Sequence, residues 1–84
     1  MVTTYKYKWD VKQYTTAQEV QTNCNDIFFV NSGTSICYID GYPLAAGTQL
    51  VWTGYTGEMN VGNIMISFAA GGTNSLWVHT KKYI

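Results

Sequence analysis

Arginine is absent from this sequence, and charged side chains of any kind are scarce, at 12% of its 84 residues. The five cations are all lysines, and the formal net charge is zero. Nucleic-acid-binding surfaces carry a basic surplus and use guanidinium groups to contact phosphate and guanine, so we expect no nucleic-acid partner. The lysines lie near the two ends of the chain, where they favour protected edge strands.

Groups suited to catalysis or metal binding are also few. The only histidine is His79, and neither a nucleophile nor an orienting acid lies beside it in the sequence. Acid–base catalysis by paired carboxylates needs two of them held close together. The five carboxylates are instead scattered singly, at Asp10, Glu19, Asp26, Asp40 and Glu58. Cys24 and Cys37 with one distant histidine match no zinc-site spacing. We therefore expect no enzyme activity, no catalytic residues, no cofactor and no metal.

Long apolar runs and a leader are lacking too. No apolar run approaches the ~18 residues of a membrane span, and no basic-then-apolar leader follows Met1. We expect synthesis in the cytoplasm without a signal peptide, and no membrane partner. Cysteine is limited to Cys24 and Cys37, which the hairpin predicted below places too far apart for a disulfide. Two free, partly buried thiols are expected, as in a reducing compartment.

Apolar and aromatic residues are plentiful by contrast, at 46% and 15% of the chain. A chain of this length forms one domain with a modest core, because it buries only about 60 to 70% of its unfolded surface. We assign residues 1–84 to a single domain, in which residues 1–25 form an N-terminal strand or arm and a connector. Oligomerisation or docking on a larger body would add stability.

The segment 26–47 predicts the centre of the fold. Two apolar runs, residues 27–30 and 36–39, flank the polar break Asn31-Ser32-Gly33-Thr34, which is a strong hairpin signal. Pro43 excludes its surroundings from a central strand. Both faces of the predicted hairpin are apolar, as expected in the middle of a sandwich or at an interface.

Residues 1–13 alternate in character and predict an N-terminal strand. Tyr5, Tyr7, Trp9 and Val11 share one face, which we predict to be buried either on its own domain or on a neighbouring subunit, while lysines and Asp10 share a solvated face. The segment 16–21 then fits a capping box and one short helical turn.

Later strands are predicted at residues 48–53, 58–61, 63–69 and 75–80. In the last of them Leu76 and Val78 are predicted to point inward, and Trp77 and His79 outward. Residues 70–74 are predicted to form a loose hairpin loop. The chain therefore reads as all-β, a small antiparallel β-sandwich of six to seven short strands, jelly-roll-like or Ig-like.

Aromatic residues are the one enriched class able to bind a partner. They could stack on sugar rings, occupy a protein interface or complete a small core. With so few charges, protein contact is favoured for a set that comprises Tyr5, Tyr7, Trp9, Trp52, Tyr55 and Trp77. A carbohydrate- or receptor-binding sandwich that uses Trp52, Tyr55 and Trp77 is the alternative.

Three stretches resemble small β-sandwich virion proteins of tailed bacteriophages. They are Phe-Val-Asn-Ser-Gly-Thr-Ser at residues 29–35, Tyr-Ile-Asp-Gly-Tyr-Pro-Leu-Ala-Ala-Gly at 38–47 and Leu-Trp-Val-His-Thr-Lys-Lys-Tyr at 76–83. Proteins of that group carry a similar rhythm of turn residues between apolar strands. The resemblance covers roughly residues 26–83, and it implies no catalytic residue.

The resemblance implies a non-enzymatic virion structural protein, above all a capsid decoration (cement) subunit that stabilises the phage head. Its implied partners are the major capsid protein or other virion proteins and copies of itself, in a homo-oligomer such as a trimer, and its implied location is the virion. A head–tail or tail component is a further possibility that the resemblance leaves open.

Overall fold

The computed structural model describes residues 4–84, and all of its regular structure is β. The eight strands are β1 (Tyr7–Tyr14), β2 (Gln18–Gln21), β3 (Asp26–Asn31), β4 (Cys37–Ile39), β5 (Tyr42–Leu44), β6 (Gln49–Trp52), β7 (Asn63–Phe68) and β8 (Leu76–Tyr83). The all-β prediction is therefore confirmed, with eight strands instead of the expected six to seven.

The strands form two four-stranded sheets in which every paired neighbour is antiparallel. Sheet A has the order β1-β8-β3-β6, and sheet B has the order β2-β7-β4-β5. Successive strands change sheet at every connection except β4–β5, whose turn is Asp40-Gly41. This arrangement is compatible with a small β-sandwich. The edge strands are β1 and β6 in sheet A and β2 and β5 in sheet B. Of these, β1 carries lysines and the other three are short.

The core lies between the two sheets and is built from the alternate residues that face inward. Phe29 is its largest fully buried side chain, and the Trp52 ring contacts it edge-on with centroids 5.0 Å apart. The buried apolar residues are Val20, Cys24, Ile27, Phe29, Cys37, Ile39, Leu44, Ile64, Ile66, Leu76 and Val78. Alternation predicted β6, β7 and β8 correctly, including the inward Leu76 and Val78.

The predicted hairpin between residues 27–30 and 36–39 is wrong, because β3 and β4 lie in different sheets. The buried side chain of Asn31 explains the crossover. Its Nδ2 donates to the carbonyl oxygens of Ser35 (2.8 Å) and Leu44 (2.9 Å), and its Oδ1 accepts from Gly33 N (3.1 Å). These bonds hold the 32–36 segment across the end of the sandwich and satisfy its buried backbone groups.

Three shorter predictions are also corrected. The helical turn expected at 16–21 is the strand β2, because Val20 is buried opposite Ile64 of β7. The strand expected at 58–61 amounts to a single bridge between Asn60 and Cys24. Residues 70–74 connect β7 of sheet B to β8 of sheet A, so they form a crossover and not a hairpin loop.

Both thiols are free and fully buried, although the predicted hairpin register is not the reason. The backbone of Cys24 forms an isolated β-bridge with Asn60, whereas Cys37 of β4 lies opposite Leu44 of β5 and Phe68 of β7 in sheet B. Burial raises the pKa of Cys37 from 9.0 to about 11. Burial also raises the pKa of Cys24, against a smaller opposing effect of Lys82.

The Cys37 thiol makes a pH-dependent contribution to stability. Because the folded protein holds this proton more tightly than the unfolded chain, the contribution is complete below pH 9 and is lost as pH rises towards 11. We expect the free energy of unfolding to fall between pH 9 and pH 11 by about 2 kcal/mol more than in Cys37→Ala. Urea denaturation of both proteins at the two pH values measures the difference. Equal declines would show that folding does not raise the pKa of this thiol.

Candidate interaction surface

Of the two predicted ways to bury the apolar side of β1, packing within its own domain is not observed, because the strand turns that side outward. Tyr7, Trp9 and Val11 are 51%, 44% and 50% exposed. On the opposite side of the strand, the register places Asp10 opposite the buried Thr80 of β8 and Lys12 opposite the buried Val78 of β8. The charged residues of β1 therefore lie on the core side of sheet A. They can do so because β1 is the edge strand, where a narrow cavity of about 40 Å³ separates it from sheet B.

The outer side of sheet A forms a continuous apolar surface, which we name the aromatic face. Antiparallel register places directly paired residues on the same side of a sheet. The members of the face are Tyr7, Trp9, Val11 and Gln13 of β1, Trp77, His79, Lys81 and Tyr83 of β8, Asp26, Phe28 and Val30 of β3, and Gln49 and Val51 of β6. Its outer strands β1 and β6 carry exposed apolar side chains, whereas the β3 side chains between them are half-buried.

Ring contacts order the aromatic face before any partner binds. Trp9 reaches across β8 to meet Phe28 edge-on, with ring centroids 5.5 Å apart. Phe28 also lies 6.2 Å from the His79 ring. Because their neighbours already hold these side chains in place, covering them with a partner would cost little of their side-chain entropy.

The charges on the aromatic face neutralise each other. Lys81 Nζ lies 3.9 Å from Asp26 Oδ2, and the two side chains are mostly buried. The same ammonium lies 4.4 Å from the centre of the Tyr7 ring, in cation–π geometry. Asp26 Oδ1 also accepts from Gly54 N at 2.8 Å. A partner that covers this surface would therefore bury no unpaired charge, and burial of an unpaired charge is what is energetically costly.

The outer side of sheet B has a different character. Its register brings Glu19 beside Met65, and Tyr38 between Ser67 and Pro43. Met65 is the large apolar side chain most exposed there. Because polar and small residues dominate this side, the aromatic face is the more apolar of the two outer sheet surfaces described by residues 4–84.

The structure separates the six aromatic residues predicted at an interface. Tyr7, Trp9 and Trp77 lie on the aromatic face, and Tyr5 contacts Tyr83 at its end, with ring centroids 5.5 Å apart. Trp52 instead faces the core, and Tyr55 lies in the loop after β6 with 83% of its side chain exposed. Trp52 and Trp77 are thus on opposite sides of sheet A, and the predicted glycan trio does not form one surface.

Two open cavities lie near the β6–β7 loop. One of about 320 Å³ is lined by Thr4, Tyr5, Tyr7, Thr56, Lys81 and Tyr83. The other, of about 230 Å³, lies between the loop and the start of β3, and its lining residues are Asn25, Ile27, Trp52, Thr53, Gly54, Glu58, Met59 and Asn60. Among residues 4–84, no group of three histidine, cysteine or acidic side chains is placed to hold a metal ion, and no helix could cross a membrane.

Comparison with protein-family models, with characterised proteins and with solved structures finds no match to this chain. The structural features that bear on function are therefore the aromatic face and the cavity lined by Tyr5 and Tyr83.

Proposed function

We propose that this protein is a non-enzymatic structural subunit that binds other protein subunits through the aromatic face. The outward orientation of β1 carries the proposal. A strand that places Trp9 and Val11 towards solvent and Asp10 towards the core side gives up apolar burial, worth about 25 cal/mol per Å², within the monomer. That burial is recovered when another chain covers the face.

The composition of the face fits a protein partner. Protein interfaces are enriched in tryptophan, tyrosine and phenylalanine and depleted in charge at their centres. Trp9, Phe28 and Trp77 lie on this face, and its ion pair between Lys81 and Asp26 is internal to the chain. The surface is a sheet face with flanking valines, which suits a broad flat contact.

Within this class we propose a virion subunit, in particular a capsid decoration (cement) protein. The resemblance of residues 26–83 to small phage virion proteins supports the finer proposal. Its mechanism would be cohesion, in which apolar and aromatic surface buried between neighbouring subunits offsets outward pressure on the shell. The neighbours would be the major capsid protein and further copies of this chain. A head–tail or tail position would use the same contacts.

A carbohydrate- or receptor-binding module is a second candidate, favoured by the 320 Å³ cavity beside Tyr5 and Tyr83. Tyrosine rings can stack on sugar rings, and their hydroxyls can bond to sugar hydroxyls. Lys81 would add a charged donor at the same place. This cavity, and not the trio of Trp52, Tyr55 and Trp77, is where such binding would occur.

The substitution Trp77→Ala tests the proposed function. On the aromatic face, Trp77 of β8 lies between its register neighbours Gln13 of β1 and Val30 of β3, and its side chain is not part of the core. We expect the far-ultraviolet spectrum and melting temperature to stay unchanged, while affinity for purified particles of the source virus falls about 30-fold, or ~2 kcal/mol. Cosedimentation with the particles measures the affinity. Met65→Ala, on the outer side of sheet B, is the matched control and should bind as the parent chain does.

Two results would contradict this proposal. Wild-type particle binding by Trp77→Ala would exclude the aromatic face as the attachment surface. Loss of binding to a glycan panel by Tyr83→Ala, with particle attachment intact, would transfer the functional role to the tyrosine cavity.

A further inference from the structure

We infer that the aromatic face pairs with the aromatic face of a second copy, around a two-fold axis that runs along the strands between β8 and β3. This inference rests on the proposed function, and it names the first partner of the face. It is carried by the hydrogen-bond register of sheet A, which fixes how the residues of the face are arranged in rows across the strands.

The face consists of three full rows. The first row has Trp9, Lys81 and Asp26, the second has Val11, His79, Phe28 and Val51, and the third has Gln13, Trp77, Val30 and Gln49. The pair Tyr7 and Tyr83 lies beyond the first row. Rotation by 180° about an axis along the strands keeps each row opposite itself and exchanges β8 with β3, and β1 with β6.

The first row becomes complementary in charge under this rotation. Lys81 of one copy lies opposite Asp26 of the second copy, and the reverse contact follows by symmetry. Each copy already pairs the same two residues internally at 3.9 Å. The four charges therefore alternate around a closed, neutral cluster, in which each carboxylate meets two ammonium groups.

The other two rows match as well. In the second row, Val11 lies opposite Val51, and His79 lies opposite Phe28. In the third row, Trp77 of one copy lies opposite Val30 of the second copy. The terminal amides Gln13 and Gln49 also meet there, and each can donate to and accept from the other.

A two-fold axis across the strands gives a poorer match. It would reverse the rows and place Lys81 on Trp77 and Asp26 on Val30 of the second copy. The ion pair would then be covered by apolar side chains without a new partner charge, which costs desolvation. The register thus favours the axis along the strands, and face-to-face sheets commonly align within about 30°.

The area of the face indicates a weak pair. The strands lie about 4.8 Å apart, and their lengths of eight, eight, six and four residues for β1, β8, β3 and β6 give a footprint of about 400 Å² per copy. Two copies would hide about 800 Å², below the ~1,200 to 2,000 Å² of a standard specific interface. We expect a dimer that depends on concentration, with dissociation in the micromolar range.

Charge exchange between copies tests this arrangement. Lys81→Glu alone and Asp26→Lys alone each place like charges across the two-fold axis, so each variant should sediment as a monomer. An equimolar mixture restores opposite charges at both cross-axis contacts and should form a heterodimer. Sedimentation equilibrium of the parent chain, both variants and their mixture measures this, with circular dichroism to verify that each variant folds.

Cross-linking gives a second measurement in case Asp26→Lys does not fold, since that residue also accepts from Gly54 N. A mixture of Val11→Cys and Val51→Cys chains should be joined by a bis-maleimide of about 10 Å reach, the spacing of stacked sheets. Cys24 and Cys37 are fully buried and should not react. A Met65→Cys chain on sheet B is the control and should stay unlinked.

Each outcome decides the inference. A dimer of the parent chain that both single variants abolish and their mixture restores supports it. A parent chain that stays monomeric, a mixture that stays monomeric, or a Val11–Val51 pair that does not cross-link overturns it. If Trp77→Ala still weakens particle attachment in that case, the proposed function stands and the face is covered by a different protein.

Discussion

Gly33→Ala is expected to unfold the protein or to reduce its free energy of unfolding by at least ~3 kcal/mol. Gly33 lies in the crossover from β3 to β4, where its N–H donates to Ser75 O (3.2 Å) and to Asn31 Oδ1 (3.1 Å). A Cβ at this position would overlap the carbonyl oxygen of Thr73 and lie 2.8 Å from Ser75 N. Both obstacles are backbone atoms, so no side-chain rotation relieves them.

The expected loss is large relative to the stability of a small domain, which totals about 5–15 kcal/mol. Two crossovers meet at this point, residues 32–36 from β3 to β4 and residues 69–75 from β7 to β8. Separating them would break the backbone hydrogen bonds that the N–H groups of residues 32–35 donate to the carbonyl oxygens of Thr73 and Ser75. Gly62→Ala is the control, because a Cβ there meets nothing within 4 Å. Urea denaturation that finds both variants equally stable would contradict this account of the crossovers.

Removal of residues 1–12 is expected to have the second large effect, with several kcal/mol lost and aggregation of what remains. Strand β1 pairs with β8 along its whole length, from Tyr7 opposite Tyr83 to Tyr14 opposite Leu76. Without it, β8 becomes an exposed edge with unpaired backbone groups. Phe28 also loses its contact with Trp9. Size exclusion and thermal melting of the truncated chain measure the effect.

A matched variant separates the strand from its apolar side. Trp9→Ser with Val11→Thr keeps the β1–β8 backbone pairing and removes apolar surface from the aromatic face alone. We expect this variant to be soluble and folded but to lose assembly. A truncated chain that remains soluble and as stable as the full chain would show that β1 is dispensable to the sandwich.

Period-two alternation predicted the strands β6, β7 and β8 because burial on one side decides their register. The crossover after β3 could not be predicted in the same way. Asn31-Ser32-Gly33-Thr34 has residues that suit a hairpin turn, and local preferences alone favour one. The hydrogen bond from Asn31 Nδ2 to Leu44 O joins residues 13 positions apart, so the local sequence pattern cannot predict it. This bond stabilises the crossover instead of a hairpin.

The orientation of β1 was also beyond local pattern. Alternation identifies two sides of a strand but does not say which side meets the core. At β1, the edge position of the strand lets Asp10 remain partly solvated on the inner side and pair with Lys82 at 3.4 Å. The apolar side is then left outward beside Phe28 and Trp77.

Part of the candidate surface was nonetheless predictable. Tyr7, Trp9 and Trp77 were identified from their type and alternation, and the aromatic face contains all of them. Phe28 and Val30 were missed as members of it, although the apolar character of both sides of β3 already indicated either a central strand or an interface. In the structure β3 is central in sheet A, and its outer side is half-buried.

The central claim is that another protein chain covers the aromatic face in the native assembly. Oxidative footprinting read by mass spectrometry tests it most directly, on the dilute chain and on the chain bound in the proposed assembly. Trp9 and Trp77, which are 44% and 37% exposed in the isolated chain, should be oxidised when dilute and protected when assembled, while Tyr55 in the β6–β7 loop serves as an internal reference. Oxidation of Trp9 and Trp77 to the same extent in both states would contradict the account.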